Sequence, residues 1–337
     1  MVHKQKTVLF YASVEDKSLF TIQHFYQIDI TILEELGYKV LLSNKISDAW
    51  KFWKYDFVFA YFYRYGLFVA LIAKLFGRNT YFTGGIDALD KDLVTNRDYF
   101  IQKLFFQLCY LVSKSCIIVS KTDEANVREI VKGKKLTYSE HTIDVESLKC
   151  ELSQKENVFV TIGWQGTVAN VQRKGMDTSI RLFAKLKEVP KYKDSVLYIV
   201  GKTGDGTKYL EMIVSELGLL DSVEFTGSIS EDMKVNYLNR SKYYFQLSLF
   251  EGFGVAALEA LGAKNIVIHS GKGGLSNPIY KDGILLNIHQ PLDVMAQDLI
   301  NKLNSFDDSR LEAAYSMVCD LYDNNRRKED FRTIIIE

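Results

Sequence analysis

Two successive series of short, unbroken apolar runs, each run followed by a longer helical pattern, confine this chain to a doubly wound α/β architecture. The first series reads TVLFYA, YKVLLS, FVFAYF, TYFTG and CIIVS, with TILEELG, LFVALIAKLFG and YFIQKLFFQLCYLVSK as intervening helices. Runs without polar alternation suit strands covered on both faces, and helical crossovers make such strands parallel. The second series reads VFVTIG, VLYIVG, VEFTG, YYFQLS, IVIHS and ILLN, separated by TSIRLFAKLKE, YLEMIVSELG, EDMKVNYLNR and VAALEALGAK. A polar stretch through KCELSQKEN parts the two and puts a boundary near residues 145 to 157. At 337 residues the chain exceeds what one hydrophobic core usually serves. The expected division is therefore an N-terminal Rossmann-like domain over residues 1–148, a C-terminal one over 149–315, and a helical tail over 316–337 that packs back on the first. Each such domain binds at the carboxyl ends of its strands, so two in series are expected to enclose a deep cleft for a bridging ligand.

Composition removes several function classes. Lys plus Arg and Asp plus Glu both total 42, so no net field gathers a polyanion and nucleic acid is not the expected partner. The cysteines, Cys109, Cys116, Cys150 and Cys319, lack metal-site spacing and read as reduced thiols. MVHKQKTVLFYAS opens as a strand and not as a signal peptide, so the expected location is cytoplasmic. Arg64, Gly66 and Lys74 interrupt the most apolar region, Asp56 to Arg78, leaving no membrane-spanning run. Beside it, Trp50, Lys51, Trp53 and Lys54 have two readings. One is an ordinary strand-helix unit with snorkelling lysines, and the other is peripheral contact of the N-terminal domain with the inner face of a membrane.

The stretch SLFEGFGVAALEALGAK, residues 248 to 264, carries the chemistry. Gly252 and Gly254 allow a sharp turn at the end of a strand, and the helix starting near Val255 offers free N–H groups to an anion. Glu251 in that turn would repel phosphate, so it is expected to face hydroxyls. Glu259 has Ala256, Ala260 and Ala263 in its helical neighbourhood, Ala256 and Ala263 at spacings of three and four, which suggests a packed side, and a packed acid needs a partner. It suits a vicinal diol such as a ribose. One anion site and two acids describe a nucleotide sugar. The alternatives are plainer: helix starts favour acids anyway, and Glu259 could lie on a solvated face.

This segment resembles the Glu, seven residues, Glu motif of retaining family-four glycosyltransferases of the GT-B fold. The likeness extends through VTIG and RKGMDTSIRLFAKL, LYIVGKTGDGTKYLEMIVSELGLLDSVEFTGSIS, and HSGKGGLSNPIYKDGILLN. It implies a glycosyltransferase of hexosyl type that moves a sugar from a UDP- or GDP-sugar to a hydroxyl of a glycan, lipid-linked or protein-linked acceptor. Configuration would be retained, no cofactor or metal would be needed, and surface-glycan synthesis in bacteria is the expected setting. Carried over, the resemblance places Glu259 on the donor ribose and Glu251 at the donor sugar near the reacting carbon. It sets Phe253 and the amides of Gly254 and Val255 at the donor, and Lys174 with neighbouring Arg173 on the phosphates. Gly163 lies at the first strand's end, and Gly227 and Ile229 line the base pocket. The acceptor is expected at the first-domain loops holding Ser13 to Phe20 and Gly84, Gly85 and Asp87.

Departures accompany the likeness. Trp164 and Gln165 follow Gly163 where the family usually has a second phosphate-binding arginine, and QGTVANVQ reads as an enlarged loop before Arg173, the expected replacement cation. Thr83 to Asp87 stand where many members carry a histidine; His24 and His141 read as surface or capping residues. DALDKD reads as an acidic loop cap rather than a metal site. GKTGDG has the wrong glycine spacing for a dinucleotide fingerprint. A degenerate paralogue that binds nucleotide as a scaffold, and an epimerase or hydrolase of the same fold, are the other readings.

Overall fold

The computed structural model describes residues 5–86, 89, 91 and 94–336. The chain divides into two compact units. Unit 1 comprises Met1–Ile143 and Tyr322–Glu337, and unit 2 comprises Asp144–Leu321. The divisions thus fall at 143/144 and 321/322, where the sequence reading set 148/149 and 315/316.

Unit 1 is built on six parallel strands: β1 (Thr7–Ala12), β2 (Lys39–Ser43), β3 (Phe57–Tyr61), β4 (Asn79–Thr83), β5 (Ser115–Ile118) and β6 (Leu136–Tyr138). Their order is β2-β1-β3-β4-β5-β6. Helices α1 (Leu19–Ile22), α2 (His24–Glu35), α3 (Gly66–Leu75), α4 (Asn96–Val112) and α5 (Lys121–Ile130) connect them. Every residue of β3 and β5 is buried, as a sheet covered on both faces requires. Thr95 and Ser120 cap α4 and α5 by accepting from the amides of Asp98 and Asp123, which is why these helices begin there.

Unit 2 repeats the plan with β7 (Glu156–Ile162), β8 (Leu197–Val200), β9 (Val223–Gly227), β10 (Ser241–Gln246), β11 (Ile266–His269) and β12 (Ile284–Leu285). Its helices are α6 (Val168–Arg173), α7 (Met176–Lys187), α8 (Asp205–Glu216), α9 (Glu231–Arg240), α10 (Val255–Gly262), α11 (Leu292–Asn304) and α12 (Ser309–Tyr322). The order β12-β11-β10-β7-β8-β9 reverses direction between β7 and β10. In open parallel sheets a ligand crevice forms outside the carboxyl ends at such a switch point. The stretch read as an enlarged loop, QGTVANVQ, contains a helix: Thr167 caps α6 by accepting from the amide of Asn170. After unit 2 the chain returns to unit 1 through α13 (Asn324–Phe331), which packs on α2.

Two sequence expectations on histidine resolve differently. His24 starts α2. His141 is buried and not a surface or capping residue, packed against the rings of Phe25 and Tyr61. Burial, assisted by the nearby Arg327 guanidinium, holds its ring well below the usual imidazole range. The four cysteines are free thiols, three of them buried. Among the described residues no helix is long and apolar enough to cross a membrane.

Candidate active site

At the switch point of unit 2 the structure brings Gly163, Arg173 and Lys174 against the turn that carries Glu251. Gly163 closes β7, its amide donating to Val200 O at 2.9 Å. A Cβ there would stand 2.6 Å from Met176 Cε and 3.7 Å from Lys174 Cδ, so the missing side chain lets the turn after α6 lie against the strand end. Gly175 continues that turn at φ +65°, and a Cβ on it would meet Leu247 O at 2.1 Å. Only glycine permits both the left-handed conformation and the approach. Leu249 N donates to Arg173 O at 2.8 Å, so the Arg173–Gly175 turn is fastened along the segment that leaves β10.

That fastening delivers Lys174 to Glu251. Lys174 Nζ donates to Glu251 Oε1 at 2.6 Å, and the same oxygen accepts from Ser248 Oγ at 2.8 Å and Gln246 Nε2 at 2.9 Å. Tyr244 in turn donates its hydroxyl to Gln246 Oε1 at 2.7 Å. Glu251 is 8% exposed. Burial works to raise its carboxyl, but the Lys174 charge, the Lys174 and Ser248 hydrogen bonds and the Arg173 charge outweigh it and hold the group below the ordinary carboxylate range. Arg173 itself donates from Nη1 to Phe250 O at 3.0 Å.

The turn after Glu251 is clamped by a second glycine loop. Gly274 N donates to Glu251 O at 2.6 Å, and Glu251 pairs with Gly273 as an isolated parallel bridge. Side chains at Gly273 or Gly274 would strike Glu251 O at 2.3 Å or Phe253 Cα at 2.5 Å. Phe253 is buried, and its backbone lies against Gly274. Gly254 sits at φ +87° immediately before α10, and Tyr280 donates its hydroxyl to Gly254 O at 3.0 Å. The amides from Val255 onward are the orphan donors of a helix start.

Glu259 is 2% exposed on α10. The partner that a packed acid requires is Lys234 of α9, whose Nζ donates to Glu259 Oε1 at 2.8 Å and also pairs with Glu231 at 2.6 Å. Burial alone would lower the Lys234 ammonium, yet Glu259 and Glu231 raise it. Gly227 ends β9 at φ +68° with open space where a Cβ would stand, and Ile229 follows just before Ser230, the cap of α9. Base-pocket candidates and the Glu259 partner therefore follow one another along β9, the turn after it and the first turn of α9. Sequence reasoning missed Lys234, Gln246 and Ser248; their signal was the QLS ending of YYFQLS and a lysine three residues after Glu231.

The two departures have structural consequences. Gln165 is fully buried and staples two loops, accepting from Thr207 Oγ1 at 2.9 Å and donating to Gly201 O at 3.3 Å. Trp164 is exposed. In unit 1, Gly84 lies at φ +109° after β4, beside Phe62, a non-glycine residue at φ +68° after β3. Phe62 N donates to Thr83 O at 2.9 Å. Gly85 and Ile86 follow, with Ile86 N donating to Asp123 Oδ2 at 3.2 Å. Asp87, and most of DALDKD, lie outside the described residues.

Unit 2 is thus a doubly wound parallel sheet with a glycine-turned, ionised Glu251 at its switch point and a second buried glutamate, Glu259, on the helix that follows. Residues 151–310 match the family described as Glycosyl transferases group 1, and that region belongs to it. The chain is a glycosyltransferase of the GT-B type. It is similar to the O-antigen chain mannosyltransferase RfbU of Salmonella typhimurium, at 26% identity over 70% of this chain and 69% of that protein. It is also similar to the GDP-mannose:cellobiosyl-diphosphopolyprenol alpha-mannosyltransferase of Xanthomonas oryzae pv. oryzae, at 27% identity over 50% of this chain and 44% of that one. The fold matches HepE from Anabaena, solved with UDP and glucose, with a TM-score of 0.75 at 15% identity, covering 98% of this chain and 100% of that one.

Proposed function

We propose that this enzyme transfers a hexose from a nucleoside diphosphate sugar to a hydroxyl of a glycan or lipid-linked acceptor, with retention of configuration, in glycan synthesis. The observation that carries the reading is the Lys174–Glu251 pair at the β7/β10 switch point, one helical start away from Glu259. In this reading Glu259 accepts from the donor ribose hydroxyls. Lys174, Arg173 and the amides of Gly254 and Val255 receive the diphosphate, and Gly227 and Ile229 flank the base. Glu251, kept ionised, accepts from the donor sugar's hydroxyls beside the reacting carbon. The C1–O bond to the diphosphate breaks while a C1–O bond to the acceptor forms on the same face, and the acceptor's proton passes to the departing phosphate oxygen. The negative charge that develops there meets fixed cations and amide dipoles, so no metal is required.

The names of two relatives favour mannose and, for one of them, a GDP-linked donor, whereas HepE was solved with UDP and glucose. The test is thermal shift with GDP-mannose and UDP-glucose on wild type and Glu259→Ala, followed by donor-consumption and acceptor-product assays in chelator. One donor class is expected to raise the wild-type midpoint and fail with the variant, since a ligand that binds only the native state stabilises it by mass action. Donor consumption without a glycosylated product, or turnover abolished by chelator, would overturn the reading.

A further inference from the structure

The solvent side of α4 carries Phe100, Leu104, Leu108 and Leu111, at spacings of four, four and three, which is one helical face. The neighbouring α3 packs against α4 and presents Phe68, Leu71 and Leu75. These seven large apolar side chains are between 39% and 71% exposed. The turns over Ile46–Trp50 and Phe52–Lys54 extend the surface beyond α3. There Phe52 stacks on Phe76 at 4.0 Å, while Trp50 and Trp53 remain exposed. Helix α5 of the same unit behaves as a solvated layer should and faces water with the Lys121–Glu124–Arg128 ion pairs. A contiguous apolar face of this kind on a monomer marks a docking surface.

Charge decides what docks. The segments 45–56, 64–78 and 95–114 that build this surface hold nine Lys and Arg against three Asp, in a chain whose totals balance at 42 each. Asp48 is already bonded to Lys51 and Ser43, and Asp56 to the amide of Thr7. A second copy of the chain would set two such basic fringes against each other. An anionic bilayer surface instead offers headgroups to the lysines, acyl chains to the leucines and an interfacial layer to the tryptophans. We propose that the α3/α4 face of unit 1, with its Trp50–Trp53 shoulder, docks the protein on an anionic membrane surface.

The test is co-sedimentation of the full chain with vesicles of phosphatidylglycerol and phosphatidylcholine, and with phosphatidylcholine alone, at low and high salt. Wild type is expected to bind the anionic vesicles, to release in high salt, and to ignore the neutral ones. The variant Leu104→Gln/Leu108→Gln/Leu111→Gln changes exposed positions only and is expected to lose about tenfold or more in vesicle affinity. Lys103→Glu/Lys114→Glu should weaken binding while leaving the fold intact. A readout that needs no change to the surface is tryptophan emission in a Trp164→Phe background, where Trp50 and Trp53 should shift to the blue on anionic vesicles alone. Equal binding by the triple variant, or no emission shift, overturns the proposal. So does a concentration-dependent dimer in sedimentation velocity that the triple variant abolishes while vesicles go unbound.

Discussion

Glu251 is buried and yet ionised because Lys174, Ser248 and Gln246 all donate to one of its oxygens. Its native carboxyl lies below the ordinary range, so the native state takes up that proton less readily than the unfolded chain does. The stability from this group is therefore fully present above about pH 4.3, the unfolded carboxylate value, and is lost as pH falls through the lowered native value. Thermal midpoints of wild type and Glu251→Gln, measured from neutral to acid pH, should differ most near neutrality and converge in acid; a gap that widens in acid would refute the assignment. The sequence already showed that Glu259 needed a partner, from its alanine-lined face. It did not name Lys234, because α9 and α10 meet only once β10 lies beside β7 in the folded sheet.

At the scale of elements, the site depends on turns more than on helices. The resemblance implies a phosphate-contacting role for the RKG turn; in the folded unit its glycine serves packing, since Leu247 O occupies the space of any Cβ. Gly175→Ala is expected to cost at least about 1–2 kcal/mol from the left-handed conformation alone, and more from the clash. It should also pull Lys174 from Glu251, so the variant should show both a lower midpoint and a weakened donor-induced shift. An alanine variant with wild-type donor response would show that the turn does not position Lys174. The β-strands were readable because unbroken apolar runs have few alternatives at this length. Helix α6 was not readable: six residues, flanked by Gly166 and Gly175, carry no helical period to detect.

At the scale of the whole molecule, the last residues of the chain complete the first unit. Arg327 of α13 is fully buried and grips Asp29 of α2 through two bonds, at 2.6 and 2.8 Å, while donating to Ser139 O and Glu140 O. Replacing it strands a buried carboxylate, a change worth about 3–5 kcal/mol. In calorimetry, Arg327→Met should lower the transition of unit 1, whereas donor nucleotide should raise that of unit 2. A uniform shift of a single transition in both experiments would mean that the units do not unfold separately. Two parallel-sheet units in series, the turn and helix that carry Glu251 and Glu259, and the glycines beside them were all readable from the residues alone. These follow from local periodicity and from backbone demands that neighbours in the chain impose. Folding in three dimensions sets which cation meets which acid, buries His141 and Arg327, and leaves an apolar face of α3 and α4 to solvent. Each of those depends on side chains brought together across tens or hundreds of residues, and such contacts leave no period in the sequence.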